Sequence, residues 1–270
     1  MVQKLPAELM QYDGYTDTEI KAADMADGTK ATMQRAADYV KDNVDLRRVD
    51  GKNVRTWKPG ATKIDGLNLE DGALMSALSA YTRDQITDPL NFMYAQQMFL
   101  WDDFRAAVTA AFKDFTHPTS VAPLKAVQRA MAKQSPTTGD YVGQPLPHAQ
   151  YIKDLLRCAQ RVDDHADMVD ACTLIQSTFN VRDLKDRRLT DLHDVVIIIE
   201  FQGVLAEIQL SYKAVNALKM FGHAAYDFTR LDLATDCSQF NTIFDVNWMI
   251  GQDLKGADRK EATKCSVSLE

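Results

Sequence analysis

Apolar residues recur at three- and four-residue spacing through the first part of the chain and at two-residue spacing later on. Residues 17–44, "DTEIKAADMADGTKATMQRAADYVKDNV", read as a helix interrupted at Gly28. Residues 45–69 are polar, rich in Gly and Lys, and read as an irregular segment. From Glu70 to Phe115 helical spacing dominates, in "LEDGALMSALSAYT" and "DPLNFMYAQQMFLWDDFRAAVTAAFKDF". Within it, Asp88-Pro89 has the form of an N-cap followed by proline at the first helical position. "THPTSVAP" at 116–123 breaks the pattern, a short helix is expected at 124–134, and "SPTTGDYVGQPLP" at 135–147 is loop by composition.

Strand patterns begin after this loop. "DLLRCAQRV" predicts a strand over 154–162, and "HADMVDACTLIQSTF" an amphipathic helix. "NVRDLKDRRLTDLH" opens as a short strand and becomes a charged loop. "DVVIIIEF", Gln202-Gly203 and "VLAEIQL" predict a β-hairpin, two apolar runs across a glycine-containing turn. A helix over about 212–230 closes the unit, and the tail from 232 carries only a weak helical pattern at "FNTIFDVNWMI". The expected class is α+β: a mixed sheet flanked by helices over 121–270, after a mostly helical region over 1–120.

Composition narrows the function. The 270 residues are 46% hydrophobic and 26% charged, ordinary for a globular protein. A net charge of −7 argues against nonspecific nucleic-acid binding, which needs a basic surface to displace counterions. No apolar run reaches the roughly 18 residues of a membrane span, and the N-terminus lacks a signal-peptide core. We therefore expect action in a cytoplasm, its own or that of a host reached without such a signal. Cys158, Cys172, Cys237 and Cys265 show no metal-site spacing and read as reduced thiols.

The candidate chemistry lies in the second half. Strand alternation sends Val204, Ala206, Ile208 and Leu210 to a core and Leu205, Glu207 and Gln209 to the opposite face. On the helix that follows, Lys219, His223, Tyr226 and Arg230 share one stripe that suits an anionic ligand. Lys125, Arg129 and Lys133 fall four residues apart, a cationic row that phosphates would relieve. Arg157, Arg182, Lys185, Arg187 and Arg188 add cations. Asp154 and Glu207, on neighbouring strands, have the hard oxygen ligands that Mg2+ takes alongside phosphate. Neither GxxxxGK[ST] nor GxGxxG is present, so a nucleotide would be held by side chains and metal. Each polar row also fits a solvated face, as in a helical interaction protein.

The order "LKAVQRAMAK", "YIKDLLR", "KDRR", a hairpin ending in "EIQL", then His and Tyr on a helix resembles the synthetase domain of RelA/SpoT-type alarmone synthetases, across about residues 121–231. The resemblance implies a nucleotidyltransferase-like fold and a Mg2+-dependent pyrophosphokinase. ATP donates pyrophosphate to the 3′-hydroxyl of a nucleotide acceptor, and AMP leaves. It implies that Asp154 holds Mg2+, that Glu207 binds metal or activates the hydroxyl, that Lys125 and Lys133 contact ATP phosphates, and that Gln209 supports the site. Pro123 stands where the family's RxK arginine falls, Ser211 replaces the arginine of EIQIRT, and the position of the family's acceptor-stacking tyrosine falls near Leu192, with His193 beside it, so that aromatic is lost. These departures leave the acceptor open, an RNA end included. They also fit a catalytically degenerate module that binds a nucleotide or a protein. Residues 78–94 faintly resemble a helix of some ADP-ribosyltransferases and are expected simply to pack. His165-Ala166-Asp167 is only a fragment of a hydrolase metal motif, so synthesis without hydrolysis is expected. Trp57, Trp101 and Trp248 read as packing aromatics, and His117 and His148 as loop residues without an assignable partner.

Overall fold

A computed structural model describes residues 27–79, 89–188 and 194–215. The expected stripe of Lys219, His223, Tyr226 and Arg230 lies outside them, as do Leu192 and His193. The chain divides into two compact units. One comprises 1–108, 121–157 and 198–207, and the other 109–120, 158–197 and 208–270.

In the first unit, helix α1 (Asp27–Asn43) turns Met33, Ala36 and Val40 inward at helical spacing. A hairpin follows, β1 (Val44–Val49) and β2 (Lys52–Trp57), antiparallel with Leu46 opposite Arg55. This corrects the irregular reading of 45–69. Asp50 and Gly51 both take positive φ at its turn, the backbone that Asp-Gly favours. Its strands are largely exposed and carry no apolar alternation, so their composition reads as loop.

The expected helical stretch 70–115 contains three described helices: α2 (Gly72–Ser79), α3 (Pro89–Met98) and α4 (Trp101–Ala111). Leu90, Phe92, Met93, Tyr94, Ala95, Gln97 and Met98 of α3 are all buried, so α3 is a central packing helix. Phe104 of α4 packs edge-on against Phe201. Trp101 is buried as expected, its Nε1 donating to the Ala122 carbonyl at 2.9 Å. Gly66 lets that indole approach: a Cβ there would sit 2.3 Å from the ring.

Five strands hydrogen-bond in the order β3-β4-β7-β6-β5: β3 (Ser120–Val121), β4 (Leu156–Val162), β5 (Asn180–Asp186), β6 (Asp194–Phe201) and β7 (Val204–Tyr212). The hairpin forms where expected, with Gln202 and Gly203 both at positive φ. Strand β5 is longer than the short strand expected, and β7 runs through Tyr212. The short cationic helix α5 spans Val127–Gln134, three residues later than expected at its start. Helix α6 (His165–Thr178) is capped by Asp164, which accepts from the Asp167 N–H, and buries Met168, Ala171 and Ile175. The class is α+β, as the chain's periodicities imply. Among the described residues no helix is long and apolar enough to cross a membrane.

Candidate active site

The first unit brings together Lys125, Lys133 and Asp154. Lys125 lies two residues before α5, and Asp154 two residues before β4 rather than within it. Asp154 and Lys125 are 6% and 5% exposed. Lys125 Nζ donates to Asp154 Oδ2 at 2.6 Å, and Lys133 Nζ to the same oxygen at 3.0 Å. The expected open cationic row is thus replaced by two ammonium groups converging on one carboxylate oxygen. Asp154 Oδ1 is buried and finds no hydrogen-bond donor among the described residues.

Burial alone would raise the Asp154 pKa. The charges and hydrogen bonds of Lys133 and Lys125 outweigh it and hold the carboxyl below its usual range. Burial lowers the Lys125 pKa, and the attraction of Asp154 offsets that only in part because Lys133 crowds the same oxygen. Half-buried Glu207 is shifted the other way. Burial raises its pKa and the charge of Asp154 adds to the rise, against Lys133, Lys125 and Arg157. Two carboxyl groups in one electrostatic field are therefore pushed apart, an arrangement found where acid and base roles are divided.

The backbone carrying the lysines is fixed by residues the sequence did not suggest. Tyr94, fully buried, donates its hydroxyl to the Lys125 carbonyl at 2.5 Å. Burial pushes that phenol's pKa far up, so it remains a donor. Asp71 accepts from the Leu74 N–H with Oδ1 at 3.0 Å and from the Val127 N–H with Oδ2 at 3.2 Å. One carboxylate thereby caps α2 and the first turn of α5. At the other end of α5, the Asp140 N–H returns to the Lys133 carbonyl at 3.0 Å. Gly139 permits this, since a Cβ there would meet that carbonyl oxygen at 2.3 Å. His148, expected to lack a partner, is buried with its ring nitrogens 3.1 and 3.0 Å from the carbonyls of Gln134 and Gln144.

The second unit holds a different carboxylate, which sequence reading missed. Asp194 is 0% exposed. Arg187 reaches it with two bonds, Nε to Oδ1 at 2.7 Å and Nη2 to Oδ2 at 3.0 Å. Gln209 Nε2 donates to Oδ2 as well. The expected supporting residue Gln209 therefore belongs to the Asp194 network. The sequence signal is an aspartate opening the apolar run "VVIII", a position that reads as a strand boundary.

Other expected residues are scattered. Arg157 is half-buried on β4, and Arg129 half-buried on α5. Lys185 is exposed on β5, the edge strand. Arg188 pairs with Asp186 at 2.6 Å. Leu205 is buried and Glu207 and Gln209 half-buried, so that face of β7 is not a freely solvated one. His117, also expected to lack a partner, lies 2.7 Å from Asp163. Cys158 and Cys172 are free thiols. Among the described residues, no group of three or more His, Cys, Asp or Glu side chains is placed to hold a metal.

No family model and no curated protein matches the chain. In fold the chain is similar to the small alarmone synthetase 1 of Bacillus subtilis bound to its product pppGpp, with a TM-score of 0.46 and 11% identity over 66% of this chain and 99% of that one. It is also similar to the small alarmone synthetase 2 of Bacillus subtilis, with a TM-score of 0.41 and 13% identity over 62% and 91%. A third similar structure is a GTP pyrophosphokinase family protein of Streptococcus pneumoniae, with a TM-score of 0.39 and 12% identity over 62% and 97%.

Proposed function

We propose that this protein transfers pyrophosphate from ATP to the 3′-hydroxyl of a nucleotide acceptor. The observation that carries the reading is the meeting of Lys125 and Lys133 on buried Asp154, whose Oδ1 is unclaimed. The sequence resemblance names the reaction that such a cluster serves.

The donor set fits a divalent cation: a buried carboxylate oxygen without a donor and a second carboxyl, both hard oxygens suited to Mg2+. Asp154 and Glu207 would hold it, and it would supply positive charge to the phosphates. The chain's own groups do the rest. Lys125, Lys133 and Arg157 face the negative charge that spreads over the transferring group. Glu207, its pKa raised by burial and by the charge of Asp154, accepts the proton of the attacking hydroxyl. The 3′-oxygen bonds to the β-phosphorus, the bond from that phosphorus to the α–β bridging oxygen breaks, and AMP leaves with that oxygen. Arg129, Lys185 and the stripe of Lys219, His223, Tyr226 and Arg230 remain proposed nucleotide contacts.

The test is incubation with β-labelled ATP, Mg2+ and GDP, GTP, ADP, ATP or bulk RNA. Label on any acceptor with matching AMP supports the reading and names the substrate. Glu207→Gln should then lower the rate by roughly 10²–10⁴-fold in a folded protein. Intact ATP across the panel overturns transfer. Retained ATP binding in that case favours a binding module.

A further inference from the structure

We propose that Asp154 latches Lys125 and Lys133 away from phosphate until a divalent cation takes the carboxylate, so that cation and nucleotide bind in a linked manner. The inference rests on reading this cluster as a nucleotide site and adds how the site is switched.

Both ammonium groups use the same oxygen, Oδ2, at 2.6 and 3.0 Å. The three side chains are only 7%, 16% and 9% exposed for Lys125, Lys133 and Asp154. Water therefore screens the cluster poorly. Moving the lysines onto a ligand's phosphates would leave Asp154 charged, buried and unpaired, which is strongly unfavourable. A cation on Oδ1 replaces the charge the lysines withdraw. Conversely, a cation arriving alone meets two ammonium groups on the same carboxylate. Each ligand thus removes the obstacle to the other, and linkage makes the effect reciprocal.

The surrounding bonds confine the switch to side chains. The Lys125 carbonyl is held by Tyr94, the Val127 N–H by Asp71, and the Lys133 carbonyl by the Asp140 N–H. The backbone at each lysine is anchored through its carbonyl, while the long side chains can turn from Asp154 to a ligand.

The experiment compares ATP binding by calorimetry to the wild-type chain and to Asp154→Asn, in EDTA and in Mg2+. The latch predicts a reversal of sign. In EDTA the variant binds ATP about tenfold more tightly than wild type, because its lysines are released. In Mg2+ it binds more weakly, because a metal ligand is lost. Equal or weaker binding by the folded variant in EDTA overturns the latch, and it does so even if the wild-type chain transfers pyrophosphate. Absence of ATP binding to wild type in both buffers overturns the latch and the proposed reaction together. A second measurement needs no substitution: acetylation of Lys125 and Lys133, read by mass spectrometry. Both should be protected in EDTA and several-fold more reactive in millimolar Mn2+ alone. Unchanged reactivity in Mn2+ overturns the latch.

Discussion

Asp154 and Asp194 are both buried aspartates facing cations, and their surroundings assign them different work. Asp194 is saturated: the planar fork of Arg187 takes both oxygens and Gln209 adds a third bond. Nothing about it invites a ligand, and its geometry is that of a structural tie. Asp154 is crowded on one oxygen and unclaimed on the other. Its partners are lysines, compact charges on flexible stems that can leave, whereas a bidentate arginine cannot leave cheaply. Burial alone does not nominate a carboxylate for a site; incomplete and exchangeable pairing is what supports the role proposed for Asp154.

The largest expected effect tests the saturated member. Asp194→Ala should destabilise the protein by about 3 kcal/mol, the low end for breaking a buried ion pair, because Arg187 is partly exposed and can turn to water. A urea midpoint close to wild type would remove the contrast. Next comes Asp71, whose two oxygens cap two helices with backbone donors. Asp71→Ala should cost about 1–2 kcal/mol in the same assay. If the loss fell well below that, the anchoring of the α5 start would need another source.

The smallest effect sharpens the comparison through pH. Glu207 has a raised pKa, so its contribution to stability is greatest at low pH and falls as pH rises through the raised value. Asp154 has a lowered pKa, so its contribution is present above the ordinary carboxylate range and lost as pH falls through the lowered value. Glu207→Gln removes only the first of these. Relative to wild type, the variant should gain stability as pH rises above the ordinary glutamate range and through the raised value. A relative loss over that window in thermal melts would mean that the lysines stabilise charged Glu207 as they do Asp154, and the two carboxyl groups would not differ in role.

The elements legible from sequence were those whose pattern is local. The β6–β7 hairpin followed from two apolar runs and Gln202-Gly203, and α6 from its apolar stripe. The β1–β2 hairpin escaped notice because exposed strands carry no burial period, although Asp50-Gly51 was there to be read. Asp154, Glu207, Lys125 and Lys133 could be nominated by residue type and order. Their mutual arrangement could not, because Lys125 finds Asp154 across 29 residues and Asp71 finds Val127 across 56. Asp194 was missed for the same reason: what distinguishes it is Arg187 and Gln209, not its neighbours in the chain.

The turn at Gln202-Gly203 also bears on the order of assembly. A two-residue connection closes with almost no loop entropy, and such hairpins form in microseconds. The contacts that gather Lys133, Lys125 and Val127 close loops of 21, 29 and 56 residues and come with a larger entropic barrier. The strand bearing Glu207 is thus set to be in place early, as a template on which the slower lysine-bearing segment is fitted.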